Sequence, residues 1–182
     1  MITDPVADRY ASALFELAKR EGRIDEAARE LEDLARLIQD HEDLRQFLLN
    51  PGVEVPDKLG VLDRLFKGDW SQDVRNFVQV ALSMGRAAYL VEMSEAFREY
   101  VDAEHKRLRV TVRTAHPLPE ALKARLKQRL ERSERRTIEL TEELAPELIG
   151  GIQVLLDHRV LDGSLKTKLS ELRHRLKSVR VH

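Results

Sequence analysis

The sequence predicts a mainly α fold, with an N-terminal six-helix bundle followed by a small C-terminal α/β domain. Charged residues make up 35% of the 182 residues and aromatic residues 5%, a balance more typical of helices with solvated faces than of a β-sandwich. Apolar residues recur at helical spacing up to about residue 107 and alternate with polar residues directly after it. We therefore expect two domains, over residues 1–107 and 108–182.

The first predicted helix begins near Asp4 and ends at Gly22. Asp4 is a residue type that caps helices, and Pro5 suits the first turn because its missing N–H would have no partner there. Apolar and small residues fill a wide arc of this helix. They form two adjoining stripes, Val6, Tyr10, Ala13 and Leu17 beside Ala7, Ala11, Leu14 and Ala18.

Five more helices are predicted before residue 107. The second covers about 24–38 and a short third covers 42–49. The Asn-Pro-Gly sequence at 50–52 then forms a turn, because proline restricts the residue before it and glycine permits turn geometry. The remaining three helices open at Pro56, after Ser71 as a cap, and at about Arg86.

The apolar period changes after residue 107. Residues 108–115 alternate, with Val110, Val112 and Thr114 on one face, and predict a half-buried strand. A helix with leucines at 122, 126 and 130 follows, then a second strand at 137–140 and a third, IQVLL, which reverses at 157–159. A final helix is predicted from leucines at 165, 169, 172 and 176 and a valine at 179, which form one narrow stripe.

The two halves carry opposite charge. Residues 1–107 hold 15 Lys and Arg against 22 Asp and Glu, a net −7, and residues 108–182 hold 16 against 10, a net +6. This asymmetry indicates two domains with different partners, or it simply reflects solvated faces. The basic half has no Phe, Tyr or Trp, which disfavours binding of single-stranded nucleic acid by stacking.

The stretch ELIGGIQVLLDHRVLDGSLKTKL, at 147–169, has the residue types of a phosphate loop or a nucleophile site but not their spacing. A P-loop would need a second glycine where Leu155 stands, and a serine hydrolase would flank Ser164 with an elbow of glycines. The simpler interpretation is turns and a helix cap. The predicted structural positions are Gly150 and Gly151 at the entry to the third strand, and Asp162, Gly163 and Ser164 before the last helix.

No cofactor, metal or catalytic site is predicted. The chain has no cysteine, and its six histidines never occur at i,i+4 spacing. The N-terminus is acidic and broken early by Pro5, unlike a secretory or transit peptide, and no apolar run approaches the roughly 20 residues that span a bilayer. We therefore expect any membrane association to go through a partner.

Four stretches, in order along nearly the whole chain, resemble the delta subunit of F-type ATP synthases, the counterpart of the mitochondrial oligomycin-sensitivity-conferring protein. The stretch at 147–172, with its paired glycines and Asp-Gly-Ser, is the most specific. The resemblance implies the same two domains as the spacing of the apolar residues. The other three stretches are DRYASALFELAKREG at 8–22, FLLNPGVEVPDKLGVLDRLF at 47–66 and NFVQVALSMGRAAYL at 76–90.

The resemblance implies a non-catalytic stator subunit, present once in a multisubunit complex. Members of this family join the catalytic F1 head to the peripheral stalk, so that the head stays still while the rotor turns during proton-driven ATP synthesis. It also implies a peripheral place on the cytoplasmic side of a cell membrane, without insertion into it. The absence of a transit peptide favours a bacterium.

Two partner surfaces follow from the resemblance. An N-terminal helix of the alpha subunit lies in a groove between the first and fifth helices, and the C-terminal domain contacts the C-terminal region of the b subunit. Bundle core remains an alternative explanation for part of the groove positions. By motif position these are Tyr10, Ala13, Leu14, Leu17, Asn76, Phe77, Val80, Ala81 and Met84.

Two other classes of function stay open at this point. The basic half would suit an adaptor for nucleic acid or an acidic protein, and the steep salt dependence of phosphate binding would reveal it. An enzyme using Ser164 is the remaining class, and loss of a turnover in Ser164→Ala would be its mark. The resemblance favours neither and implies no nucleic-acid partner.

Overall fold

The computed structural model describes residues 4–67, 69–156, 159–165, 167 and 169. Contacts divide the chain into two compact units, between Glu104 and His105. The first unit is helical and the second combines helix and sheet. The mainly α fold with a C-terminal α/β unit is confirmed.

Six α-helices make up the first unit in the described part of the chain. A single 3-10 turn over Ala87–Tyr89 precedes the last of them, so this helix starts four residues later than the predicted Arg86. Gly85 stands just before this 3-10 turn and adopts φ 68°, a left-handed conformation that ends the fifth helix. The six are α1 (Pro5–Glu21), α2 (Ile24–Asp40), α3 (Glu42–Leu49), α4 (Val55–Leu65), α5 (Gln72–Ser83) and α6 (Leu90–Glu104).

Caps fix the ends of α1 and the start of α5. Asp4 accepts a hydrogen bond from the Val6 N–H at 2.8 Å, and Gly22 ends α1 in the left-handed conformation at φ 69°. Ser71 accepts a longer one, 3.4 Å, from the Val74 N–H. All three residues act where the sequence predicts, because the side-chain oxygens and the glycine satisfy backbone groups that a helix leaves unpaired at its ends.

The core of the bundle is built from the inward stripes of its helices. The Phe15 ring packs edge-on against Phe97 at 6.1 Å and stacks on Tyr100 at 5.5 Å, which ties α1 to α6. Burial of such side chains stabilises a fold by about 1.5–3 kcal/mol each. The fully buried positions include Ala7 and Ala11 on α1, Val74, Val78 and Ala81 on α5, and Met93 and Phe97 on α6.

The second unit has a four-stranded sheet with strand order β2-β1-β3-β4. The first two strands are parallel, so the helix between them forms the crossover that parallel strands need, and the other pairs are antiparallel. The second strand is four residues longer than the predicted 137–140. The elements are β1 (Arg107–Thr114), α7 (Glu120–Glu134), β2 (Thr137–Leu144), β3 (Ile152–Leu156) and β4 (Arg159–Asp162).

The two faces of the sheet differ in chemistry. Alternate residues of β1, among them Val110 and Val112, are buried on the face where α7 packs. The other face carries ion pairs between β1 and β2, with Arg109 Nε 3.1 Å from Glu139 and Arg113 Nε 3.2 Å from Glu143. This alternation is what the sequence predicts for a half-buried strand.

The predicted final helix lies largely outside the described residues. Leu165, Thr167 and Leu169 have helical backbone. The remaining positions of the predicted stripe, 172, 176 and 179, are outside the described range, as are residues 157 and 158 of the predicted reversal.

Candidate functional site: a groove between two helices

The candidate site is an apolar groove between α1 and α5. Arg23, which follows the end of α1, lies 3.7 Å from Asp73 at the start of α5. Further along, the Tyr10 ring packs edge-on against Phe77, with 6.3 Å between the ring centroids. These two contacts join the helices that form the groove walls.

Small and half-exposed apolar residues leave the space between the helices open. Ala13 is exposed to solvent, whereas its neighbour Leu14 is buried at the floor of the groove. Val80, on α5, is 48% exposed. The groove has a volume of about 480 Å³ and is lined by Arg9, Tyr10, Ala13, Leu14, Leu17, Asp73, Asn76, Phe77 and Val80.

The structure brings seven of the nine sequence-predicted groove residues together in this lining. Ala81 and Met84 are the two that it does not. Ala81 is fully buried, because it continues the core stripe of Val74 and Val78 at helical spacing. Met84 is the C-cap residue of α5. It is 64% exposed and does not line the groove.

Sequence reasoning missed two residues of the lining, Arg9 and Asp73. Both are charged and stand at the ends of the apolar stripes, and neither is among the positions that the resemblance implies. A signal was available, since Arg9 lies four residues before Ala13 and Asp73 four before Phe77, positions that share a helix face.

A buried carboxylate holds the start of α5 against α2. Glu30 accepts hydrogen bonds from the Ser71 N–H at 2.9 Å and from the Ser71 hydroxyl at 2.6 Å. Glu30 is among the few buried charged side chains in the described residues. Because its oxygens are satisfied by groups at the helix N-terminus, burial of this charge is compatible with a stable fold.

A second carboxylate connects α4 to α5. Asp63 accepts from the Trp70 ring N–H at 3.0 Å and from Arg75 at 2.9 and 3.0 Å. The Arg75 hydrogen bonds are the main reason that the pKa of Asp63 lies below its usual value; the bond from Trp70 adds to this and partial burial opposes it. Together, Glu30 and Asp63 fix the α5 wall of the groove.

The two glycines before β3 allow the backbone of the second unit to pack closely. Gly151 adopts φ 79°, and a Cβ there would lie 2.5 Å from the Gly163 carbonyl oxygen. A Cβ on Gly150 would meet the Leu165 side chain at 2.8 Å. The Leu165 N–H donates to the Gly150 carbonyl at 2.9 Å, which joins this segment to the residues after β4.

Asp162 and Ser164 form a capping network beside these glycines. Asp162 accepts from the Ser164 N–H at 2.8 Å and from the Thr167 hydroxyl at 2.8 Å, and Ser164 accepts from the Thr167 N–H at 3.3 Å. The pKa of Asp162 is lowered to about 2. The hydrogen bond from the Ser164 N–H is the main cause, and the bonds from the Thr167 and Ser164 side chains add to it. Ser164 is 1% exposed, so its hydroxyl is not available as a nucleophile.

The apolar face of the sheet is open beside α7. A cleft of about 560 Å³ lies there. Leu161 on β4 is 55% exposed at this cleft. The apolar walls of the cleft are Leu126 and Leu130 from α7, Ile152 and Val154 from β3, and Leu161 from β4.

Across the described ranges, no group of three or more His, Cys, Asp or Glu is placed to hold a metal ion. No helix in the same ranges has the length and apolar character to cross a bilayer.

Comparison with known proteins gives a consistent result. The family described as ATP synthase delta (OSCP) subunit matches residues 6–176. ATP synthase subunit delta of Moorella thermoacetica is 40% identical over 172 residues, 94% of this chain and 96% of that protein. The subunit of Desulfitobacterium hafniense (strain DSM 10664 / DCB-2) is 32% identical over 176 residues, 97% of this chain and 98% of that protein.

A solved structure has the same fold. One chain of the cryo-EM structure of the Toxoplasma gondii mitochondrial ATP synthase hexamer matches with a TM-score of 0.75 and 23% identity, covering 95% of this chain and 98% of that one. The family match covers nearly the whole chain, and the two relatives are 40% and 32% identical to it. The chain therefore belongs to the ATP synthase delta (OSCP) subunit family, a stator component of the F-type ATP synthase.

Proposed function

We propose that this chain is a non-catalytic link that binds the N-terminal helix of the alpha subunit through its bundle and the C-terminal region of the b subunit through its second unit. It takes up this place once per complex, on the cytoplasmic side of a bacterial cell membrane. Its task there is to hold the F1 head still against the torque of the rotor.

The groove between α1 and α5 is the observation that supports the proposed contact with the alpha subunit. It is apolar, open and bounded by two helices, which suits an amphipathic helix presenting its apolar face. Ala13 allows a helix backbone to approach closely. The paired rings of Tyr10 and Phe77 offer the aromatic surface that is common at binding centres.

The cleft beside α7 supports the second contact. Its apolar floor, with Ile152 and Val154, lies on a sheet face that α7 covers only in part. Residues 108–182 carry a net +6, so a partner helix with an acidic polar face would be matched in charge.

A link that resists torque needs slow dissociation. We expect a total affinity for F1 in the nanomolar range or tighter, about −12 kcal/mol or more negative, which an interface of standard size supplies.

The variant Ala13→Trp tests the proposed function at the groove. An indole at this exposed position fills the space between α1 and α5, so binding to isolated F1 should weaken by about tenfold or more while the far-UV CD signal is kept. Affinity is measured by surface plasmon resonance with the full-length chain.

Ala103→Trp is the matched control, because Ala103 is exposed on α6 and outside the groove lining. This variant should bind F1 as the wild type does. Ala81→Trp is unsuitable for the purpose, since Ala81 is fully buried and an indole there would disrupt the bundle core. Normal F1 binding by Ala13→Trp would move the alpha-subunit contact away from this groove.

A further inference from the structure

The cationic residues of α7 fall into two groups. In the first group, each residue has a carboxylate partner. Lys123 lies 2.9 Å from Glu120 on the same helix and 2.8 Å from Glu142 on β2. Lys127 lies 4.0 Å from Glu131, one turn further along. The charge of this group is therefore balanced within the second unit.

The second group consists of Arg125, Arg129 and Arg132, which we call the arginine row. All three are exposed, and none has a hydrogen-bond or ion-pair partner among the described residues. Their separations of four and three residues place them on one face of the helix, about 10 Å from first to last. Lys127 belongs to a different side, because residues two positions apart on a helix do not share a face.

The arginine row borders the cleft beside α7. Arg129 is itself part of the cleft lining, together with Leu126 and Leu130. The other two members of the row lie one turn before and one turn after it on the same helix face. Asp162 also lines the cleft, but its oxygens are engaged by the capping network with Ser164. The apolar floor therefore has positive charge without a partner along its α7 rim.

The combination of an apolar floor and a cationic rim selects the chemistry of the occupant. Guanidinium groups pair best with carboxylates and phosphates, and the leucines of the floor are stabilised by contact with an apolar surface. A helix with carboxylates at i, i+4 and i+7 beside an apolar stripe offers both at the spacing of the row.

We propose that the arginine row makes the cleft selective for an acidic amphipathic helix and speeds its association. This inference rests on the proposed function, which gives the cleft to the b subunit. It adds the residues that set the specificity of that contact and the charge that the b subunit must carry.

A nucleic acid is the other polymer whose charge would suit the row. Its phosphate backbone has no apolar surface to cover the floor formed by Leu126, Ile152 and Val154. Residues 108–182 also contain no aromatic side chain on which bases could stack. The cleft therefore favours an acidic helix over a nucleic acid.

Exposed charges at the rim of an interface act mainly on the rate of association. They attract a partner of opposite sign before contact, and salt screens this attraction beyond about 10 Å at 0.1 M. Each exposed ion pair contributes little. We expect the three arginines together to raise the affinity about tenfold at low salt, mostly through faster association.

Charge removal along the row tests this expectation. The variant Arg125→Gln/Arg129→Gln/Arg132→Gln should bind the soluble part of the b subunit from the same species about tenfold more weakly at low salt. The difference should shrink to about twofold or less as the salt concentration rises to about 0.5 M. Surface plasmon resonance with the full-length chain gives both rates, and the far-UV CD signal reports whether the fold is kept.

The variant Arg125→Lys/Arg129→Lys/Arg132→Lys keeps the charge but loses the planar guanidinium. It should stay within about threefold of the wild type and keep the same dependence on salt, because steering depends on charge. A loss as large as that of the glutamine variant, without dependence on salt, would show that the arginines act through packing and would contradict the proposal.

A matched pair of charge reversals locates the effect on the helix. Arg129→Glu and Lys127→Glu make the same change at exposed positions of α7, but only Arg129 lines the cleft. We expect Arg129→Glu to weaken binding about fivefold at low salt and Lys127→Glu to stay within about twofold. Equal losses would mean that the b subunit detects the net charge of the unit and not the row.

Three further outcomes separate this inference from the proposed function. Equal binding of the b subunit by the wild type and the glutamine variant at low salt would overturn the role of the row and leave the b contact standing. Absence of binding by the wild type would remove the proposed function of the second unit, and the row's partner with it. Binding of a labelled RNA or DNA duplex as tightly as the b subunit at about 0.15 M salt, lost in the glutamine variant, would assign the row to phosphate instead.

Discussion

Gly151 holds a backbone conformation that other residues rarely adopt. Its φ of 79° is left-handed, and the space where a Cβ would stand is taken by the Gly163 carbonyl oxygen. Gly151→Ala should therefore destabilise the second unit by about 2 kcal/mol or more. Hydrogen exchange of the amides of β1 and β3 measures the loss where it occurs.

Gly60→Ala is the matched control for this substitution. Gly60 lies within α4, and a Cβ there would meet no atom within 4 Å. This variant should stabilise the bundle by about 0.5–1 kcal/mol, because alanine favours a helix more than glycine does. Protection of the β1 and β3 amides at the wild-type level in Gly151→Ala would show that the left-handed turn is not required.

Asp63 should make the stability of the bundle depend on pH. Arg75 is the main cause of its lowered pKa in the folded state, so its contribution is present above the unfolded value near 3.9 and is lost as the pH falls through the folded value. At pH 7, Asp63→Asn should cost about 1 kcal/mol, kept small because a third of each side chain is exposed. As the pH falls through the lowered folded-state pKa of Asp63, wild type and variant should approach equal stability.

Urea unfolding followed by Trp70 fluorescence reports this effect for the bundle alone, since every aromatic residue lies before residue 107. Asp40→Asn removes the same charge from an exposed position at the end of α2 and should be neutral or slightly stabilising. A stability difference between wild type and Asp63→Asn that stays constant from pH 7 down to the acid unfolding of the bundle would argue against the ion pair.

Residues at the groove show how far a family resemblance predicts a surface. Tyr10, Ala13 and Phe77 were predicted and line the groove, and Ala13 and Ala81 looked equivalent in the sequence. They differ because Ala81 is fully buried in the bundle core while Ala13 faces solvent. Spacing along one helix gives a face, but only the packing of neighbouring helices decides whether that face is core or surface.

At the scale of elements, caps and periodicity predicted the helices well. Asp4, Gly22 and Ser71 act locally, so the sequence alone sets the ends of α1 and the start of α5. The strand order β2-β1-β3-β4 was beyond such reasoning, because it depends on pairing between segments distant along the chain. The extension of β2 to Leu144 has the same cause, since its last four residues pair with β1.

The open face of the sheet is the surface where we expect the b subunit to bind. Leu161 points to the cleft beside α7, and Val160, next to it on β4, belongs to the other face because successive strand residues alternate. Leu161→Ser should weaken binding to the soluble part of the b subunit by about tenfold, through loss of apolar contact. Isothermal titration calorimetry with the full-length chain measures it.

Val160→Ser is the control, since Val160 is exposed to a similar degree, 58% against 55%. It removes a comparable apolar side chain from the polar face and should bind the b subunit normally. A loss of affinity in Val160→Ser, with normal binding by Leu161→Ser, would place the stalk contact on the polar face.

In the molecule as a whole, each of the two units has its own kind of surface. Residues 1–107 carry a net −7 and include the apolar groove, and residues 108–182 carry a net +6 and include the open sheet face. A chain with two separate binding surfaces of opposite background charge is suited to join two different partners.

The most direct test of this account is NMR titration of the full-length, isotope-labelled chain with the N-terminal peptide of the alpha subunit from the same species. We expect binding at low micromolar peptide or below, with the largest chemical-shift changes at Tyr10, Ala13, Leu17, Phe77 and Val80. We also expect little change in β1 to β4. Absence of shifts at tens of micromolar peptide, or shifts confined to residues away from α1 and α5, would contradict it.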